Sequence, residues 1–156
     1  MRQEYVEYLK DLPINIHLAN ILEYPIHWKD SIEILFVLKG SIELGVETEV
    51  YKLKERQIEI VNSNEVFWMK SEDEDNLVLI INIDPNFFER YYDDAKEVFF
   101  YTDSSNEEIQ ENEIYYSLRR YISILLFEVV SKLDDYEDVI EDKLLDMMYY
   151  LLNNFH

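Results

Sequence analysis

The pattern of hydrophobic and polar residues changes character near Asp103. Before that residue, short apolar runs alternate with polar positions, which is typical of half-buried β-strands. After it, apolar residues recur at helical spacing. Strand starts about 8 to 12 residues apart indicate an antiparallel sandwich or barrel. The predicted strands are Asn15–Leu22, Ile32–Lys39, Ser41–Val46, Glu49–Leu53, Gln57–Val61, Val66–Lys70 and Leu77–Ile83.

Two start signals predict the first helices. Asp84 followed by Pro85 is typical of a helix N-terminus, and the short helix should end near Tyr92. Ser105 with Glu108 three residues later is a capping box, which predicts a helix as far as about Leu133.

A second long helix should follow the break at Asp134 and Asp135. Its apolar residues are Ile140, Leu144, Met147, Met148, Leu151, Leu152 and Phe155. The short connection predicts that the two long helices form an antiparallel hairpin. The chain should therefore comprise a β-barrel with an N-terminal arm (residues 1–102) and a helical hairpin (residues 103–156).

The first hairpin helix is apolar on nearly all sides between Tyr121 and Val130. A helix of this kind has to bury two faces. One interpretation is that the hairpin only covers its own barrel; the other is that it also packs against a second copy of the chain. We expect a homodimer, because the apolar surface exceeds what one barrel would cover. The candidate interface residues are Leu125, Val129, Leu144, Met148 and Leu151.

The charge balance limits the partners. Fourteen lysines and arginines stand against 34 aspartates and glutamates, which gives a net charge of −20. Because nucleic-acid affinity comes largely from cations that neutralise phosphates, we expect no direct contact of this chain with nucleic acid or with an anionic membrane.

There are no cysteines, no apolar run long enough to span a bilayer and no signal-peptide pattern, so a cytoplasmic location is expected.

One stretch carries a recognisable motif. His27, Glu33 and Gly40 have the spacing of the first cupin motif, but Lys29 stands where the motif has its second histidine. Phe67 likewise replaces the histidine of the motif's second half. The sequence thus resembles a cupin whose metal ligands are largely lost. With two of four ligands left and a lysine among them, we expect no metal, no cofactor and no enzymatic activity.

A more specific resemblance is to the N-terminal sensor domain of AraC-type transcription regulators. It rests on the order and spacing of four runs, followed by the helical hairpin in the position of that family's dimerisation element. The resemblance implies a cupin-like (jelly-roll) barrel that senses an effector such as a sugar, and DNA contact only through a helix-turn-helix part absent from this chain. The apolar last helix favours a chain cut from a longer regulator. The four runs are residues 32–40, 51–55, 60–66 and 77–88.

The altered motif still predicts a candidate pocket. Strand alternation directs Glu33, Leu35 and Val37 to one face, and Phe67 and Met69 to one face of their own strand. With His27 and Lys29, they would form an apolar barrel with a polar end, suited to a small polar ligand. Two interpretations remain open, an open pocket and a core filled by the side chain of Phe67.

Two further functions remain open. One is a stand-alone cupin that binds a carbohydrate or another small molecule. The other is a metal-independent isomerase that uses His27 and Glu33 as an acid–base pair.

Overall fold

The described part of the chain contains nine strands and four helices. The structure is a computed structural model that describes residues 2–3, 8–9, 11–94, 97–103 and 106–156. The strands are β1 (Arg2–Gln3), β2 (Ile14–Ala19), β3 (Glu23–Trp28), β4 (Ile32–Lys39), β5 (Ile42–Val46), β6 (Glu49–Leu53), β7 (Ile58–Val61), β8 (Val66–Lys70) and β9 (Leu77–Ile83). The helices are α1 (Pro85–Glu89), α2 (Glu107–Gln110), α3 (Glu113–Ser131) and α4 (Tyr136–Asn154).

The strands form two sheets. The first has the order β1-β3-β8-β5-β6, and the second has the order β2-β9-β4-β7. Every pairing is antiparallel except that of the two-residue β1 with β3. Side chains from both sheets join in one buried apolar cluster, which fills the space between them. The predicted cupin-like barrel followed by helices is confirmed.

A second apolar core lies on the outer face of the four-stranded sheet. Because side chains alternate along a strand, β4 directs Leu35 and Val37 between the sheets and Ile34 and Phe36 outward. The outward residues pack against α1, α3 and α4. This explains why β4 is an almost continuous apolar run: it is buried on both faces.

The predicted strands are confirmed within a few residues at their ends, but β3 was not predicted. This strand pairs with β8 and has an irregular register between Tyr24 and His27, where Pro25 and Ile26 lie. Proline cannot donate a backbone hydrogen bond, so it is tolerated in a sheet at an edge or a bulge. The bulge hides the alternation that identified the other strands.

The predicted single helix from Ser105 to Leu133 is wrong. Ser105 lies outside the described residues, and the chain forms α2 and α3 with a break between them. The side chain of Asn106 accepts a hydrogen bond from the Ile109 amide (3.1 Å) and caps α2. The side chain of Asn112 accepts from the amide of Tyr115 (3.2 Å) and caps α3. Asparagine competes for backbone amides in this way, so it ends one helix and begins the next.

The α2–α3 break is attached to the edge strand β7. The Ile58 amide donates to Oε1 of Gln110, and Nε2 of Gln110 donates to the Ile58 carbonyl, both at 3.0 Å. The buried Gln110 amide thus takes the place of a neighbouring strand. Further along β7, the Ile60 amide donates to Oγ1 of Thr102 at 3.2 Å. These bonds cover backbone groups that an open edge would expose.

The hairpin is antiparallel, as predicted. The start of α3 meets the end of α4, where the rings of Tyr115 and Phe155 lie 5.1 Å apart, and the Tyr150 hydroxyl donates to the Ile114 carbonyl at 3.0 Å. Among the described residues, the helices contain no stretch that is both apolar enough and long enough to cross a bilayer.

Candidate functional site

The polar residues between the two sheets gather at one end of the barrel. On the four-stranded sheet, Glu33 lies in register with Asn82 on one side and with Val61 on the other. On the opposite sheet, His27 is in register with Phe67. Apolar residues form most of the remaining interior. The structure thus brings together the motif residues that the sequence predicted to be neighbours.

Lys29 and Glu33 form a buried ion pair. The Lys29 Nζ lies 2.7 Å from Glu33 Oε1, and the two side chains are only 9% and 1% exposed. The ammonium group also lies 5.5 Å from the centre of the Tyr24 ring and 5.7 Å from that of Phe67. Aromatic faces attract a desolvated cation. In this position the ammonium group neutralises the charge of a carboxylate that is almost completely withdrawn from water.

The His27 ring is fully buried and held between aromatic rings. Its centre lies 4.1 Å from that of Phe67 and 4.3 Å from that of Tyr24. Its Nδ1 is 2.7 Å from the Pro25 carbonyl oxygen, so Nδ1 carries the proton and donates to that carbonyl. The bulge in β3 therefore fixes the orientation of the imidazole.

The apolar members of the predicted pocket, Leu35, Val37, Phe67 and Met69, all lie in the core between the sheets and are at most 1% exposed. The side chain of Phe67 packs in the interior beside His27. Binding of a ligand among these residues stays a prediction. Among the described residues, no group of three or more His, Asp or Glu side chains is arranged to hold a metal ion.

Glu59 and His17, on the inward-facing side of the four-stranded sheet, were not among the predicted site residues. Glu59 is buried in β7 directly opposite Leu35, so its side chain belongs to the interior face. His17 lies opposite Ile80 on the same face, at the exposed edge of the sheet. Partial burial and the nearby charge of Lys29 hold the pKa of His17 below its usual value. The signal for Glu59 was its position between two isoleucines whose side chains point the other way.

The predicted dimer-interface residues require a correction. Leu125, Leu144, Met148 and Leu151 are at most 1% exposed and belong to the core between the hairpin and the four-stranded sheet. Only Val129 is partly exposed. Helical spacing identified the apolar face but not its partner, and the outer face of the sheet is the partner.

A different face of α3 is exposed. Beyond its first turn, the exposed residues lie along one line, which we call the α3 stripe: Tyr116, Arg120, Ser123, Phe127 and Val130. Their spacing alternates between four and three residues, the period of a coiled-coil seam. The exposed line of α4 is different in kind, since four of its seven residues are acidic: Glu137, Asp138, Asp142, Asp146, Tyr149, Asn153 and Asn154.

No protein-family model matches the chain, and no curated protein matches it. Solved structures are similar over about half of it. One is the cupin domain of Cnp3 from Schizosaccharomyces pombe, at 15% identity and a TM-score of 0.47 over 54% of this chain and 61% of that chain. Another is a cupin superfamily protein from Desulfitobacterium hafniense, at 12% identity and a TM-score of 0.44 over 48% and 71%. The two facing sheets with their shared core have the arrangement of the cupin fold.

The expectation that the chain is not an enzyme has to be withdrawn. The similar structures include the DMSP lyase DddQ from Ruegeria pomeroyi, at 20% identity and a TM-score of 0.42 over 46% of this chain and 38% of that chain. Proteins similar in fold thus include an enzyme, so the altered motif was wrongly used to exclude catalysis. At this identity the similarity assigns neither a reaction nor a substrate to this chain.

Proposed function

We propose that this chain is the effector-sensing and dimerisation domain of a transcription regulator of the AraC type. The observation that carries the proposal is the α3 stripe, an exposed line of aromatic, aliphatic and polar side chains without acidic residues, on a helix that follows a cupin barrel. DNA contact is assigned to a separate helix-turn-helix part, because a chain of net charge −20 repels phosphate groups.

The spacing of the α3 stripe favours a second copy of the chain as its occupant. If two α3 helices cross antiparallel about a two-fold axis at Ser123, then Tyr116 of one copy faces Val130 of the other. Arg120 then faces Phe127, where its guanidinium can stack on the ring. The same residues serve both copies, as a two-fold interface requires. The small side chain of Ser123 at the axis lets the two helices approach closely.

Charge also favours this face over the rest of the hairpin. Two chains of net charge −20 repel one another, so an interface has to avoid acidic side chains. The α3 stripe contains one cation and no acid, whereas the α4 line is acidic. Beside Val130 there is also a cleft of about 360 Å³, lined by Leu12 and Ile140 among others. In the antiparallel arrangement, the Tyr116 ring of the second copy lies next to this cleft.

Sedimentation velocity of matched glutamate variants tests the dimer. Val130 is 73% exposed on the α3 stripe, and Val50 is 63% exposed on β6. The parent chain is expected to be a dimer, Val130→Glu a folded monomer and Val50→Glu a dimer like the parent. A monomeric parent, or a dimer that Val130→Glu leaves intact, contradicts the proposal. Leu144→Glu and Leu151→Glu are unsuitable, because both leucines are fully buried in the monomer.

The barrel end with His27, Lys29 and Glu33 is the proposed effector site. A polar ligand bound there has to exchange hydrogen bonds with the Lys29–Glu33 pair. A ligand can shift the equilibrium between two arrangements of the dimer only by as much as its affinities for those two arrangements differ. A thermal-shift screen with neutral monosaccharides tests this half of the proposal. A stabilising sugar should lose its effect in the double variant Lys29→Met/Glu33→Leu, while a panel that never shifts the parent counts against sugar sensing.

The buried polar residues Lys29, Glu33 and Glu59 also favour a second candidate function, a cupin that binds a small molecule without a regulatory partner. This candidate predicts ligand binding in a chain that stays monomeric. Measuring sedimentation with and without the ligand separates the two candidates.

A further inference from the structure

Both tryptophans of the chain lie on the outer face of the five-stranded sheet, whereas the long helices pack on the other sheet. Phe67 and Met69 point into the core, so Trp68 between them on β8 points outward. Trp28 is in register with Val66, which shares the outer face of β8 with Trp68. Both indole side chains are partly exposed, so this face of the sheet presents two aromatic residues to solvent.

The Trp68 ring lies with one face against the sheet because it is opposite a glycine. Gly45 is in register with Trp68 on the neighbouring strand β5. A Cβ added to Gly45 would lie 2.1 Å from both Cε2 and Nε1 of the indole and 2.6 Å from Cζ2, which places Gly45 against a face of the ring rather than its edge. Glycine in a strand permits such a close approach. The other face of the indole points away from the sheet.

A cleft of about 360 Å³ lies beside this ring, at the bulge of β3. The bulge contributes Pro25 and Ile26 to the lining, and Ile26 is 47% exposed. Glu23 and Lys70 are the charged residues of the lining, one of each sign. The volume lies in the range of about 300–1,000 Å³ that is typical of small-molecule sites. The cleft thus combines an aromatic wall with two groups that can orient a polar ligand.

The charged residues near the cleft form a row of alternating sign across four strands. From β3 to β6, the residues in register are Glu23, Lys70, Glu43 and Lys52. The Lys70 Nζ lies 3.5 Å from Glu43 Oε2 and 5.5 Å from the centre of the Trp68 ring. Because the two signs balance, the row does not favour a charged ligand. Its ammonium groups donate hydrogen bonds and its carboxylates accept them, so it suits hydroxyl groups, which do both.

We infer that this cleft binds a neutral saccharide, with one sugar ring stacked on the outward face of Trp68 and hydroxyl groups bonded to Lys70 and Glu23. One side of a pyranose ring presents mainly C–H groups, which the negative face of an indole attracts. The Lys70 side chain is 55% exposed, so its ammonium group can move from the ring to a hydroxyl group. The site lies outside the barrel interior and does not rest on the proposed function.

Charge favours a saccharide over the other possible occupants of this face. A chain of net charge −20 repels nucleic acids and other anionic polymers. A second copy that packed sheet against sheet would bury the charged row, and withdrawing those charges from water is costly. A neutral saccharide covers the indole and leaves most of the row in contact with water.

Tryptophan fluorescence of the whole chain tests the inference, because both tryptophans lie on this face. The probes are the neutral hexasaccharides maltohexaose and cellohexaose, with glycerol at equal mass concentration as the reference. A saturable change in emission with either hexasaccharide supports the site, and the better probe identifies the preferred linkage. Saturation with neither of them overturns the inference.

Three variants then locate the binding by isothermal titration calorimetry. Trp68→Ala should weaken binding at least tenfold, because it removes the stacking surface. Gly45→Ala should also weaken binding, since it displaces the ring without removing it; it replaces Trp68→Ala if circular dichroism shows that variant to be unfolded. Tyr101→Ala should leave binding unchanged, because Tyr101 is a 66% exposed aromatic residue whose amide donates to the Phe155 carbonyl beside the hairpin.

Two results would overturn the inference even if the parent binds a hexasaccharide. One is equal affinity of the parent and Trp68→Ala, which would place the saccharide elsewhere on the chain. The other is a dimeric parent that Trp68→Ala converts to a monomer in sedimentation velocity, which would assign this face to a second copy.

Discussion

Replacing Lys29 with methionine tests whether the barrel core depends on the buried ion pair. The substitution keeps the length and most of the apolar volume of the side chain but removes its charge. Glu33, which is 1% exposed, then remains as a carboxylate without its cation. Removing one partner of a buried pair costs about 3–5 kcal/mol. For a domain of this size that corresponds to a decrease in Tm of roughly 6–20 °C, at about 2–4 °C per kcal/mol.

A double-substitution cycle separates the pair from other losses. Lys29→Met and Glu33→Leu should each destabilise strongly, whereas the double variant should regain most of the stability, because an apolar pair of similar volume replaces the charges. Urea denaturation followed by circular dichroism gives the free energy of unfolding for each protein. The sum of the two single losses in unfolding free energy should exceed the loss in the double variant by about 3 kcal/mol or more.

An exposed lysine pair serves as the matched control. Lys39 Nζ lies 2.8 Å from Asp75 Oδ2, nearly the distance found for Lys29 and Glu33, but the two side chains are 57% and 80% exposed. Water and salt screen such a pair, so Lys39→Met should change stability far less than Lys29→Met. Equal losses in the two variants, or strictly additive losses in the cycle, would refute the reasoning from burial.

Three further predictions concern single residues. Gln110→Ala should cost about 1–3 kcal/mol, because it leaves buried backbone groups of Ile58 without a partner; hydrogen exchange at the Ile58 amide should accelerate, and an unchanged rate contradicts this. His17 should titrate below pH 6.5 by NMR. Because its folded pKa is lowered, stability should fall as pH drops below 6.5, and less so in His17→Asn. Gly45→Ala should displace the Trp68 ring, since an added Cβ would lie 2.1 Å from it, and should shift the tryptophan fluorescence; an unchanged spectrum contradicts it.

Most strands could be predicted from the sequence because the alternation of apolar and polar residues reflects which face of a strand is buried. The prediction failed where the backbone was irregular, as at Pro25 in β3. It also failed at Asn112, where a side-chain cap that competes with the helix divided one predicted helix into two. The spacing of apolar residues does not show whether a side-chain cap or a continuous helix is favoured. The outcome depends on the contacts of the α2–α3 break with β7.

The candidate site was predictable only in part. Lys29 contacts Glu33 in the structure, and His27 lies beside Phe67 on the facing sheet, although the strand that carries His27 was not predicted. Glu59 was missed, although the isoleucines on both sides of it pack on the outer face and so direct its side chain inward. The interface residues were misplaced because periodicity shows which side of a helix is apolar, whereas the covering surface depends on tertiary packing.

The most direct test of the proposed dimer is a disulfide at its two-fold axis. The chain has no cysteine, so Ser123→Cys introduces a single thiol. Ser131→Cys is the control, because both serines lie on α3 and donate to the carbonyl four residues earlier. Under mild oxidation, the antiparallel α3 dimer predicts a rapid disulfide-linked dimer for Ser123→Cys alone, since only residues at the axis meet their own copies. Cross-linking that is absent in Ser123→Cys, or equally fast in Ser131→Cys, would contradict the account.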